Sequence, residues 1–225
     1  MTASATPVST AVLRAVPLFA SVSDDQLRML TTMVTRRSAA RNGIVLAAGD
    51  STDSLYIVLA GRLKVMMSDS DGKEVILSIL GPGEFFGEMG LLDESPRSAS
   101  VIAIDPSELL CVSKRDFMRC LQENFEMSMA VMRGLVRRLR EADRKIGSLA
   151  LLDVYGRVAR LLLDMAEDVD GTMTVTKRLP KQDIAKMIGA SREMVSRVMK
   201  DLQTGGFIEV RGQTIIVRDT IVLPE

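Results

Sequence analysis

Arg192, Glu193, Ser196 and Arg197 fall at i, i+1, i+4 and i+5, a spacing that on a helix wraps them about one side. Arginine can donate twice to guanine O6 and N7, and glutamate can accept from cytosine N4, so this face has the chemistry of a base-edge reader. A charged helix face is more often merely solvated, but the flanking residues argue otherwise. Pro180 to Gly189 reads as a short helix with proline at its first position and glycine at its end. Ala190 and Ser191 turn the chain, and Ser191 can cap a second helix, expected over 191–203. Ala185, Gly189 and Val195 sit where two helices cross closely, and Ile184, Ile188, Val195, Val198 and Leu202 form the inner faces. A small hairpin follows, Phe207 to Val210 and Thr214 to Val217 around Arg211-Gly212-Gln213. Together these features predict a winged helix-turn-helix whose partner is double-stranded DNA. Lys181, Ser191, Lys200 and Arg211 join the four side chains above as candidate DNA contacts.

The 225 residues are formally neutral, with 29 Lys+Arg against 29 Asp+Glu, which first looks contrary to a nucleic-acid partner. A local count removes the objection. Between Thr174 and Arg218 there are nine basic residues, Lys177 and Arg178 among them, and four acidic ones; that segment is +5 and the remainder −5. Phosphate contacts from such a segment make affinity fall steeply with salt. The absence of histidine removes His-based acid–base catalysis, the usual triads and most zinc sites. Cys111 and Cys120 are too few for an iron–sulfur cluster or a disulfide framework. No catalytic residue, metal ligand or cofactor is expected, and the chain reads as a non-enzyme. Met1 to Thr10 lacks a basic stretch followed by an apolar one, and no run reaches the roughly 18 apolar residues that span a bilayer. A cytoplasmic protein with no membrane partner is expected.

Three zones must position these groups. From about Arg41 to Val112, short apolar runs such as 44–46, 55–59, 63–66 and 75–80 alternate with turn signals, and Asp71-Gly72 is the strongest hairpin signal. This predicts a small antiparallel barrel or roll. Ahead of it, Ser23 is a plausible cap for a helix beginning at Asp24. A proline-free helical zone runs from about Arg115 to Leu149. In it Met129, Met132, Val136, Leu139, Asp143, Ile146 and Ala150 recur at alternating threes and fours, a seam for a partner helix. Arg133, Arg137, Arg138, Arg140, Glu141 and Arg144 are expected to keep the rest of that helix wet, so the seam points to a homodimer. The third zone, from Leu151, holds helices at 154–167, 180–188 and 191–203 and the hairpin.

The order of three stretches resembles the cyclic AMP receptor protein / fumarate-nitrate regulator superfamily of bacterial transcription regulators. They are Gly87-Glu88-Met89-Gly90-Leu91-Leu92 with Pro96-Arg97-Ser98-Ala99, Gly147 to Val154, and Ala190 to Arg197. The resemblance implies an α+β fold. Its parts are a cyclic-nucleotide-binding β-roll over 1–126, a long dimerisation helix over 127–150 and a winged helix-turn-helix over 151–225. It further implies that Arg192, Glu193 and Arg197 read a TGTGA-like half-site of a palindromic operator. Ser196 matches a base-reading position in the oxygen-sensing branch. RNA polymerase is an implied partner.

The resemblance also places a phosphate-binding cassette at Gly87, Glu88, Met89, Arg97 and Ser98. The physics fits, because glycine lets backbone N–H groups approach a phosphate, Arg97 supplies a cationic fork and Glu88 can accept from a ribose 2′-OH. Where the cyclic AMP type presents Thr-Ser toward adenine, this chain has Ala142-Asp143. A carboxylate is acceptor-only; guanine's N1–H and N2–H₂ edge matches it in a way adenine's single donor group does not. Asp143, with Arg140 or Arg144 beside it for guanine O6/N7, therefore favours cyclic di-GMP over cAMP as the regulatory ligand. Three alternatives stay open: glycine turns that merely connect strands around a vestigial or non-nucleotide pocket, an Asp143 that only sets register in a seam, and a cyclic-nucleotide-processing enzyme. The last is disfavoured by the missing histidines.

Overall fold

Ser23 caps the helix that follows it: its hydroxyl accepts the Gln26 N–H, and the Gln26 side chain accepts the Ser23 N–H in return. In the computed structural model, which describes residues 2–4, 8–176 and 179–218, this capping box opens α2 (Asp24–Met33). Lys177 and Arg178 lie outside the described residues. Two compact units, Met1–Arg138 and Leu139–Glu225, divide the chain.

The first unit begins with β1 (Thr2–Ser4), α1 (Thr10–Arg14) and a 3₁₀ turn over Pro17–Phe19. After α2 come β2 (Val34–Ala39), β3 (Ile44–Leu46), β4 (Ser54–Ala60), β5 (Leu63–Ser68), β6 (Glu74–Leu80) and β7 (Phe85–Phe86). A short α3 (Met89–Leu92) precedes β8 (Ser100–Ala103) and β9 (Ser107–Ser113). Two antiparallel sheets, β1-β2-β9-β4-β7 and β3-β8-β5-β6, make the expected roll. The Asp71-Gly72 hairpin joins β5 to β6 as predicted, with Gly72 at positive φ. Strand β2 was not legible because Thr35-Arg36-Arg37-Ser38 carries no apolar alternation; its ends, Val34 and Ala39, are what it buries. One core joins α1 and α2 to the first sheet through Leu13, Phe19, Leu27, Leu55, Ile57, Leu110 and Phe117; a second fills the roll through Tyr56, Val58, Leu63, Phe86 and Leu109.

The helical zone after the roll is two helices. α4 (Lys114–Glu123) ends at Asn124, whose extended backbone breaks the run and whose side chain accepts the Met127 N–H. α5 (Phe125–Leu151) then runs for 27 residues. Its inner face on the roll is Met127, Val131 and Gly134. A Cβ on Gly134 would stand 2.7 Å from Phe85 Cζ, closer than two non-bonded carbons pack. Gly134→Leu is therefore expected to cost about 1–3 kcal/mol by overpacking a ring that is itself buried. At roughly 2–4 °C per kcal/mol for a chain of this size, the melting temperature should fall by several degrees in a thermal scan, and an unchanged value would refute the close packing.

The second unit holds α6 (Val154–Met165), β10 (Glu167–Val169), β11 (Thr172–Val175), α7 (Lys181–Ile188), α8 (Arg192–Thr204), β12 (Ile208–Arg211) and β13 (Thr214–Val217). The helix expected to reach 167 stops at Met165, because Glu167–Val169 pairs with Thr172–Val175 across an Asp170-Gly171 turn held at positive φ. That hairpin edge adds to β12 and β13 in the order β10-β11-β13-β12. Pro180 is the N-cap of α7 and not its first helical residue. Gly189 takes the left-handed conformation at the end of α7, as only a residue without Cβ does readily.

Candidate functional site

Arg97 is the centre of the expected cassette, and 5% of it is exposed. Its Nη1 donates to the Gly87 carbonyl at 2.7 Å and its Nη2 to the Ser54 carbonyl at 2.7 Å, while the Asp53 carboxylate lies 3.7 Å away and is itself mostly in solvent. The third donor, Nε, is buried with no hydrogen-bond partner. A buried guanidinium with an orphan N–H and one distant counter-charge is under-compensated, and an anion is what relieves it. Gly87 is required beside it: its φ is +83°, and a Cβ there would stand 2.5 Å from Arg97 Nη1 and 3.2 Å from the Ser54 oxygen. Ser98 and Met89 are exposed at the rim, with the Ser98 hydroxyl 3.9 Å from the Met89 sulfur. Gly87, Glu88, Met89, Arg97 and Ser98 thus share one place on the roll. The carboxylate nearest Arg97 is thus that of Asp53, whereas Glu94 pairs with Lys114.

Glu88 is 1% exposed and is already engaged. Arg138 of α5 meets its carboxylate at 2.5 Å, donates to the Phe85 carbonyl and lies 4.9 Å over the Phe85 ring. The expectation that Arg138 is wet was therefore wrong. It is one helical turn beyond Gly134, on the same face, and that spacing was the signal to read. Through Gly134 and Arg138 the helix rests directly on the 85–88 turn.

Farther along α5, Met132, Val136, Leu139 and Ile146 are exposed apolar side chains, Leu139 at 62% and Ile146 at 65%. Asp143 and Ala150 are exposed in the same stripe, whereas Met129 is half-buried. Arg140, Asp143 and Arg144 all face solvent, in the second unit.

In that unit Ser191 caps α8, accepting the Met194 N–H at 3.2 Å. Val195, Val198 and Leu202 of α8 and Ile184, Ala185 and Ile188 of α7 are all buried, and the two helices pack on each other, as the inner faces required. Arg157 of α6 donates to the Ile188 carbonyl at 2.9 Å, placing a cation on the C-terminal end of α7 just before the Gly189 turn. Arg192, Glu193, Arg197 and Lys200 are then exposed together on α8; Ser196 and Lys181 are half-buried. Met194, exposed beside them, was not among the expected contacts, and its apolar side chain suits a thymine methyl. Hydrogen bonds from its own backbone N–H and then from Ser191 hold the Glu193 carboxyl below its usual range, so it is presented ionised. On the hairpin, Arg211 is not a free cation: Glu209 accepts from its Nε at 2.7 Å and lies 3.5 Å from Arg218. Among the described residues no cluster of His, Cys, Asp and Glu could hold a metal ion, and no helix is long and apolar enough to cross a membrane.

Comparison with known proteins meets both halves of this description. The family model for the cyclic nucleotide-binding domain matches residues 36–124, and that for the Crp-like helix-turn-helix domain matches 156–223. The chain is 37% identical over 201 residues to the cAMP-activated global transcriptional regulator Vfr of Pseudomonas aeruginosa, covering 86% of this chain and 93% of that one. It is 33% identical to the CRP-like cAMP-activated global transcriptional regulator of Mycobacterium tuberculosis, over 93% and 95% of the two chains. Among solved structures, the c-di-GMP responsive global regulator CLP of Xanthomonas campestris superposes with a TM-score of 0.74 at 28% identity, covering 88% of this chain and all of that one.

Proposed function

This chain belongs to the cyclic AMP receptor protein / fumarate-nitrate regulator superfamily, whose members here are DNA-binding transcription regulators responsive to cyclic nucleotides, and from that premise we propose how its own residues carry the role. It acts as a cytoplasmic homodimer in which a cyclic nucleotide bound at the roll alters binding to a palindromic operator. Functionally, 1–126 senses, 127–150 dimerises and 151–225 reads DNA. The observation that carries the ligand reading is the buried Arg97 whose Nε has no partner, in a cradle that only a glycine at position 87 leaves open. A phosphate accepts from Arg97 and Ser98, with the Gly87–Met89 backbone beside it. A ribose hydroxyl that takes the Glu88 carboxylate competes with Arg138, so ligand arrival is felt by α5 through the residue that ties the helix to the cassette. Two such helices paired along the exposed stripe then rotate and bring the α8 helices into or out of the roughly 34 Å spacing of one DNA turn.

For the base, Asp143 supports a guanine ligand: it is an exposed, acceptor-only group flanked by exposed Arg140 and Arg144, and cyclic di-GMP fits that edge better than cAMP does. The CLP resemblance points the same way and the Vfr resemblance the other. Isothermal titration with both nucleotides decides. We expect tighter binding of cyclic di-GMP, weakened about tenfold or more by Asp143→Ala; equal or tighter binding of cAMP with Asp143→Ala harmless refutes the assignment. A second reading has its own observation. Arg97 spends two donors on carbonyls and Arg138 occupies Glu88, so the cassette is self-satisfied enough to be vestigial. Absence of heat with either nucleotide would select it.

On the DNA side, Arg192, Glu193, Ser196 and Arg197 read bases, whereas Lys181, Ser191, Lys200 and Arg211 meet the backbone once Glu209 releases Arg211. RNA polymerase is the partner through which binding changes transcription. Arg197→Ala should cost about 1–3 kcal/mol on the cognate half-site and leave non-specific binding nearly unchanged, in salt-matched fluorescence anisotropy. An equal loss on both DNAs would make Arg197 a backbone contact.

A further inference from the structure

One face of the β12–β13 hairpin carries a carboxylate between two cations. The strand register sets that face. Ile208 opposes Val217 and Val210 opposes Ile215, with Ile208, Ile215 and Val217 buried on the inner side. Side chains alternate along a strand, so Glu209, opposite Ile216, and Arg211, opposite Thr214, share the outer side. Arg218, the residue after β13, is the diagonal neighbour of Glu209 on that side. Glu209 uses both of its oxygens: Oε1 accepts from Arg211 Nε at 2.7 Å, and Oε2 lies 3.5 Å from Arg218 Nη2. Both arginines are exposed and Glu209 is half-buried between them. The hydrogen bond from Arg211, with the charges of Arg211 and Arg218 behind it, holds the Glu209 carboxyl below its usual range, so it is an anion at neutral pH.

A carboxylate with one oxygen toward each of two guanidinium groups offers them what a DNA phosphate would offer. An exposed ion pair is weak, so a phosphate fixed beside the hairpin can take an arginine from it, whereas a loosely placed phosphate gains little by doing so. Resting on the reading of this unit as the DNA-binding part, we propose that Glu209 is a specificity-determining residue, which keeps Arg211 and Arg218 off DNA of arbitrary sequence and yields them only where α8, seated in the major groove, fixes the neighbouring phosphates. Phosphate contacts supply essentially all of non-specific affinity, so a residue that withholds two cations from them widens the ratio between operator and other DNA without touching a base.

The test is fluorescence anisotropy of the full chain at one fixed cyclic nucleotide concentration, on a random-sequence duplex and on the palindromic operator, through a salt series. Glu209→Gln should tighten the random duplex about tenfold for a dimer, or about threefold per hairpin. It should also steepen the plot of log affinity against log salt by about 0.9 for each phosphate gained. Operator affinity should rise less than threefold, so the specificity ratio falls. Glu209→Thr, which suits a strand, should act in the same direction and stands in if Glu209→Gln misfolds. Asp201→Asn removes one exposed charge from α8 and frees neither hairpin arginine, so it should change the random duplex less than twofold. Arg211→Gln should cost the random duplex almost nothing beside Glu209, yet should erase most of the gain in the Glu209→Gln background. Unchanged affinity and slope in both Glu209 variants, an equal rise on both DNAs, or an equal gain from Asp201→Asn overturns the proposal. A loss from Arg211→Gln of the same size in both backgrounds also overturns it, while leaving the hairpin as a DNA contact. No loss from Arg211→Gln on any DNA, the operator included, overturns both the proposal and the place of the hairpin in the DNA-binding reading.

Discussion

Leu139→Glu is expected to turn the dimer into a monomer and to lower affinity for a palindromic operator at least 100-fold. Leu139 sits in the middle of an exposed stripe with Val136 and Ile146, and as an isolated chain the protein leaves these side chains in water. Burying a leucine or isoleucine contributes about 1.5–3 kcal/mol, and a two-fold axis counts each stripe residue twice. In the proposed dimer the substitution removes that contribution from both chains and sets two carboxylates against each other, one turn of the helix from Asp143. A monomer reads one half-site, so the effective-concentration gain from the linked second half-site is lost with it. Analytical ultracentrifugation and anisotropy on full and half operators measure both effects. Because Leu139 is 62% exposed, circular dichroism should be unchanged. A wild-type monomer, or a dimeric Leu139→Glu, would refute the assignment of the stripe.

The second large effect belongs to Arg97. Arg97→Met removes the one buried cation of the cassette, together with its orphan Nε. Charge-assisted hydrogen bonds contribute about 1.5–3 kcal/mol each, so losing two from a ligand phosphate should weaken binding by about 10²–10⁴-fold. The same change strands the Gly87 and Ser54 carbonyls, and some loss of thermal stability should accompany it. Ser98→Ala separates the two effects. Its hydroxyl is exposed, so stability should hold while nucleotide affinity falls about tenfold. Full affinity in both variants, measured calorimetrically, would mean that the ligand does not use the cassette.

Local signals made much of this fold readable. Ser23 and Ser191 are caps, Asp71-Gly72 is a hairpin and Gly189 is a left-handed helix end; each depends on a few neighbouring residues, and each stands where the sequence placed it. What failed was non-local. Strand β2 carries charges because its pairing with β9 fixes it, not an apolar pattern of its own. Glu167–Val169 left the helix because β11 was there to pair with it, and the helical zone broke at Asn124 because a side chain that can cap also competes with the backbone.

The sequence alone determined the parts list: a roll, a long helix with an apolar seam and a winged reader, with a +5 segment confined to the last and no histidine to support catalysis. Periodicity, capping chemistry and charge are properties of neighbours in the chain. Only the tertiary structure decided which charges are available. Arg97 is buried with its Nε unpartnered, Arg138 is turned inward onto Glu88, and Arg211 is held by Glu209. An arginine's reach lets it meet partners tens of residues away, and burial then decides whether its charge is satisfied. Neither can be read from spacing.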